Sequence, residues 1–110
     1  MSALDNVTAH WESVSGLRAM DVPEWGMTIH FRPPNVREAV QIERELQRGG
    51  NVSAALMTLV VLARDADGKR LFSDADRAEL ERKADASVIM RLAAEMFPSD
   101  DLTAEDAKKN

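Results

Sequence analysis

Asn51-Val52-Ser53-Ala54-Ala55-Leu56-Met57-Thr58-Leu59-Val60-Val61-Leu62-Ala63-Arg64 is the segment around which the rest of this chain has to be arranged. Val52, Ala55, Leu56, Leu59, Val60 and Ala63 recur at helical spacing and line one face of a helix. Met57, Val61 and Leu62 fall outside that face, so the helix is apolar almost all the way round. A helix of this kind lies at the centre of a fold or in an interface. The run from Ala54 to Ala63 is broken by Thr58 and is far shorter than a bilayer span needs. Asn51 supplies the N-cap, and Gly49-Gly50 before it stop a preceding helix.

Upstream, that preceding helix starts at Asn35, with Glu38 three residues on as the second half of a capping box. Val36, Ala39, Val40 and Leu46 form its stripe, which Ile42 widens. Pro33-Pro34 end a strand, because proline has no N–H for the ladder. In that strand Met27, Ile29 and Phe31 alternate with Thr28, His30 and Arg32, the period of a half-buried strand. A first strand is expected between Val14 and Met20, with Leu17 and either Val14 or Ala19 facing the second. The connection Asp21-Val22-Pro23-Glu24-Trp25-Gly26 contains Pro and Gly and makes a hairpin with a long loop. Residues 1–13 show no clear periodicity and are expected to form a loose N-terminal segment.

Downstream, Asp65-Ala66-Asp67-Gly68-Lys69-Arg70-Leu71-Phe72-Ser73-Asp74-Ala75-Asp76 resembles a calcium loop at first sight. With Gly68 at the invariant glycine position, the first ligand position holds Ala63, the ninth Leu71 and the last Asp74 in place of Glu. The loop therefore reads as a helix-to-helix turn, with Gly68 left-handed and Asp67 bonding its own backbone. Ser73 and Asp76 open a third helix to about Lys83, with a thin apolar side of Ala75, Ala78 and Leu80. Asp85 caps a fourth, in which Val88, Ile89, Leu92, Ala93 and Met96 recur at helical spacing until Phe97-Pro98. The tail, residues 98–110, has little to bury and is expected to be disordered. The fold class is α+β and mainly helical: a small N-terminal β-hairpin followed by about four α-helices, as one domain over residues 14–97.

A length of 110 residues suits one domain with a modest core. No cysteine is present, which excludes disulfides, zinc–thiolate sites and thiol catalysis together. The net charge of −5 argues against nucleic acid as a partner, because such binding neutralises phosphates with Lys and Arg. The basic residues are also interspersed with carboxylates, as on solvated helix faces. Met1-Ser2-Ala3-Leu4-Asp5 lacks the basic and apolar regions of a signal peptide, so neither secretion nor membrane insertion is expected.

Chemical motifs are scarce. His10 and His30 stand apart from any ligand at metal-binding spacing and read as surface histidines. The serines fall at caps or in loops, without a nucleophile elbow, and no phosphate-binding glycine loop occurs. The expectation is a non-enzymatic protein with no cofactor and no metal. What remains unusual is large apolar residues in loop positions: Trp11 and Trp25, with Met20 and Met27 around the hairpin loop. Tryptophan dominates interface energetics and methionine suits adaptable contacts. With Met57, Val61 and Leu62 of the apolar helix, these are the candidate partner-binding residues. The competing reading folds both tryptophans back over a small core.

Three stretches, in order, resemble the tail assembly chaperones of long-tailed bacteriophages. They are Val22-Pro23-Glu24-Trp25-Gly26 followed by a strand and Arg32-Pro33-Pro34, then the apolar helix running into Asp65–Asp76, and then Ala78-Glu79-Leu80 with the helix from Ser87 to Phe97. The resemblance covers roughly residues 14–97 and departs from the family at Glu81–Ala86, where a glycine or extra length is missing. It implies a chaperone of the host cell cytoplasm that binds the tape measure protein, keeps it soluble and delivers it for assembly with the major tail protein. It also implies a longer form made by ribosomal frameshifting, for which the codons of Lys108-Lys109-Asn110 would supply an adenine-rich slippery run. A homo-oligomer is compatible with the same reading. The alternative is a small helical adaptor or regulatory domain of a bacterial host.

Overall fold

The computed structural model describes residues 2–98, so the expectation of a disordered tail falls almost wholly outside the described residues. The chain forms α1 (Ala3–Val14), β1 (Arg18–Val22), β2 (Met27–Phe31), α2 (Val36–Leu62), α3 (Arg77–Lys83) and α4 (Ala86–Met96). This is the expected mainly helical α+β fold with an early two-stranded hairpin.

The expected loose segment at the N-terminus is instead α1. Ser2 and Asp5 make a reciprocal capping box, with Asp5 N–H donating to Ser2 Oγ at 3.1 Å and Ser2 N–H to Asp5 Oδ2 at 3.3 Å. None of the α1 residues is buried. The first strand begins later than expected, and its inward residues are Met20 and Val22 rather than Leu17. β1 and β2 pair antiparallel, with Met20 opposite Ile29 and Val22 opposite Met27. Ile29 and Phe31 are buried as the alternation requires. The loop is short: a 3-10 turn, Pro23–Trp25, closes at Gly26, whose φ of 62° and ψ of 34° are left-handed.

Gly50 divides α2, with φ 86° and ψ −172°, a combination essentially confined to glycine. Gly49 matters for a different reason: a Cβ there would come within 2.6 Å of Ser53 Oγ. In residues 51–62, Ala54 to Leu56 and Thr58 to Leu62 are buried, and α4 packs along this half through Val88, Ile89, Leu92, Ala93 and Met96. Arginines satisfy carbonyls that the helix end leaves open: Arg70 donates to Val60 O at 2.9 Å and Arg64 to Val61 O at 3.2 Å.

After α2 the chain returns to the hairpin. His30 and Arg64 exchange two backbone hydrogen bonds, at 2.9 and 2.6 Å, so Arg64 acts as a one-residue third strand. His30 is thereby half-buried rather than a surface residue. In the following turn Gly68 has φ 86°, as expected, but the bonding carboxylate is Asp65, not Asp67. Asp65 Oδ1 accepts from the N–H groups of Asp67 and Lys69 at 2.9 and 3.0 Å. Those bonds, Lys69's foremost, hold its carboxyl below the usual range. Asp65 can reach both donors because it starts the turn that Gly68 N–H closes on Asp65 O, whereas Asp67 lies within that turn.

Candidate functional site

The Val22–Gly26 sequence builds an apolar projection. Pro23 pre-sets the φ of the 3-10 turn, and Gly26 N–H closes it on Pro23 O at 3.1 Å. Trp25 is carried to one end of the hairpin, where it meets Phe72 edge-on with ring centroids 6.5 Å apart and planes at 81°. Trp25, Met27, Phe72, Leu80 and Ala84 line a cleft of about 290 Å³, with Glu79 and Lys83 at its rim. Those two rim residues pair with one another at 3.0 Å. A second cleft, about 400 Å³, lies across Leu80 and Ala84 and is floored by Val52, Leu56 and Ile89. Leu80 and Ala84 line both clefts, so α3 and its exit form a ridge between them.

Ion pairs fix the walls. Glu24, in the 3-10 turn, accepts two hydrogen bonds from Arg91 of α4, at 2.5 and 2.8 Å. This bidentate bond lowers the Glu24 pKa to about 2 and raises that of Arg91. Behind the second cleft, Glu45 is 5% exposed and accepts from Arg77 at 3.1 Å, Ser53 at 2.7 Å and Arg48 at 2.7 Å. The Arg77 hydrogen bond, followed by that of Ser53, lowers the Glu45 pKa to about 2. Arg77 also donates to Ser53 Oγ at 3.0 Å. One carboxylate thus ties the two halves of α2 to each other and to α3.

What this arrangement offers is apolar surface with a fixed shape. The carboxylates whose pKa departs clearly, Glu24, Glu38, Glu45, Asp65 and Asp85, all shift downward. That is the direction of structural ion pairs and caps, opposite to what a general acid at neutral pH needs. Among the described residues no cluster of three His, Asp or Glu side chains is placed to hold a metal ion, and no helix is long and apolar enough to cross a membrane.

Of the candidate residues, Trp25 and Met27 meet in the first cleft, and Met27 is 38% exposed. Met57 is half-buried against the core. Trp11 lies at the far end of β2, its ring 5.3 Å from the Arg32 guanidinium, a cation–π contact. Trp11 is in a helix, contrary to its expected loop position. Met20, Val61 and Leu62, also candidates for partner contact, are buried in the core, where the apolarity all round α2 is used by the hairpin and α4. Phe72, Leu80 and Ala84 were not singled out for a partner. The apolar step Leu71-Phe72 after the polar turn is the signal that would have found the first of them.

No protein-family model matches the chain, and no curated protein matches it. Among solved structures it is similar to the bacteriophage HK97 tail assembly chaperone, with a TM-score of 0.58 and 16% sequence identity. The alignment covers 86% of this chain and 95% of that one. At this identity the likeness is one of fold, and at that level it agrees with the resemblance read from the hairpin, the Asp65–Asp76 turn and the last helix.

Proposed function

We propose that this chain is a phage tail assembly chaperone: a non-enzymatic protein that binds the tape measure protein in the host cytoplasm, keeps it soluble and supports tail tube assembly with the major tail protein. The observation that carries the reading is the fold shared along 95% of the length of a tail assembly chaperone. The paired clefts on either side of Leu80 and Ala84 are the surface that fits the task. An amphipathic helix presents apolar side chains three and four residues apart, and such a row can straddle a ridge with a hollow on each side. Trp25 and Met27 then serve as anchors, with Met57 supporting them from the core and Trp11 at a separate contact. Contact with the major tail protein is assigned to a frameshifted longer form extending beyond Asn110.

The test is co-expression with the tape measure protein encoded by the same genome. The expected result is a soluble complex that co-purifies, and one that Trp25→Ala with Leu80→Ser weakens at least tenfold. A tape measure protein that remains insoluble and unbound in the presence of the folded chain would overturn the reading.

A further inference from the structure

The two clefts share Leu80 and Ala84 but differ in charge. At the first, Glu79 pairs with Lys83 at 3.0 Å and with Arg82, so the rim is balanced around walls of Trp25, Met27 and Phe72. The second has an apolar floor, in which Val52 is 54% exposed and Leu56 and Ile89 are buried. Among the described residues Glu81 is the one charged side chain that lines it.

Glu81 is short of partners. Its side chain is 55% exposed and takes one hydrogen bond among the described residues, from Arg77 Nε at 3.3 Å. The terminal nitrogens of Arg77 are committed elsewhere: to Glu45 at 3.1 and 3.0 Å, and to Ser53 Oγ at 3.0 Å. Glu45 therefore matches the charge of Arg77, and Glu81 keeps most of its own. Arg48, the second arginine on Glu45, has a side chain 75% exposed, where water and salt screen it. The N-terminus of α4 at Ala86 would favour an anion, but Asp85 already caps it, accepting from Ser87 N–H at 2.8 Å. The second cleft is thus an apolar hollow with a negative mouth.

Such a hollow selects what enters it. A wholly apolar side chain would take water from Glu81 without offering a partner, and an acidic one would repel it. Lys and Arg suit both parts, because their methylene stems cover apolar surface while the charged head stays at the rim. The first cleft makes no such demand and fits Leu, Met or Phe. We propose that the partner helix is recognised by a pair of side chains. A large apolar one enters the first cleft, and a Lys or Arg three or four residues away lies on Val52, Leu56 and Ile89 and pairs with Glu81. This inference rests on the chaperone reading of the site and adds the signature of the tape measure segment that the site accepts.

The test starts from the full chain co-purified with the tape measure protein of the same genome. Hydrogen exchange on the tape measure protein locates the segment that the chain covers, and a peptide of that segment is titrated against the chain. The covered segment is expected to hold Leu, Met or Phe three or four residues from Lys or Arg. Changing that base to Glu should weaken binding about tenfold, and Glu81→Lys should weaken the original peptide similarly. The two changes together should restore binding, which loss of folding could not do. Circular dichroism checks that Glu81→Lys is folded. A covered segment without the pair overturns the inference, as does binding that Glu81→Lys leaves unaltered, and in both cases the chaperone reading stands. A tape measure protein that the wild-type chain does not bind overturns both.

Discussion

The two halves of α2 follow one another along a single helix and behave as different materials. In residues 54–62 every side chain but that of Met57 is buried, and α4 and the hairpin complete the core around them. In residues 36–49 only Ile42 and Glu45 are buried, and valines that would suit a core stand in solvent. Gly50 makes the contrast possible by breaking the helix, so the exposed half need not follow the axis that the core dictates for the buried half. The tie across the break is polar, running from Glu45 through Ser53 to Arg77. Apolar sequence thus has two fates here: one half organises the fold, and the other leaves much of its apolar surface in solvent.

The largest effect should come from the buried half. Leu59 is fully buried, and Leu59→Ala removes its methyl groups and leaves a cavity in the core. The expected loss is about 2–5 kcal/mol, read from the midpoint of urea unfolding. An equal loss for Val40→Ala would erase the distinction between the halves.

Next comes the break itself. Gly50→Ala places a Cβ on backbone with φ 86° and ψ −172°, costing about 1–3 kcal/mol by thermal or urea unfolding. No neighbour stands within 4 Å of that Cβ, so the cost is backbone strain alone. If Gly50→Ala were neutral, the halves could merge into a straight helix and the division would be incidental.

Much of this was legible in the sequence. The Gly49-Gly50 stop, the Asn35 and Asp85 caps and the Met27–Arg32 alternation are local signals, and each appears as expected. α1 was missed because its cap, Ser2 with Asp5, lies at the very start of the chain and its stripe buries nothing. Arg64 pairing with His30 depends on residues 34 positions apart, which no local pattern encodes. The site was half legible for the same reason. Trp25 and Met27 stood out by residue type, whereas Leu80 and Ala84 acquire their role from what packs on either side. Met20, Val61 and Leu62 carried the same apolar signal but were claimed by the core.

The polar tie predicts a pH dependence. Glu45 has its pKa lowered from 4.5 to about 2, first by the Arg77 hydrogen bond. A depressed folded value means that the carboxylate contributes its full stability above about pH 4.5 and loses it as pH falls towards 2. Glu45→Gln should therefore lower the thermal midpoint at pH 7, and the gap to wild type should close across that window. Loosening should appear first as faster amide exchange around residues 49–53, with the buried half still protected. A gap that persists unchanged at pH 2 would mean that the side chain acts by packing rather than by charge.

The smallest effect on stability belongs to the exposed valines, and there it is most informative. Val36→Ser and Val40→Ser replace apolar groups that already stand in water, so the folded chain loses little burial and unfolding should shift by under about 0.5 kcal/mol. Far-UV circular dichroism should be unchanged for the same reason. A residue whose replacement hardly changes stability is one whose apolarity the fold does not use. Should the double variant unfold readily, residues 36–49 would belong to the core after all, and the contrast between the two halves would disappear.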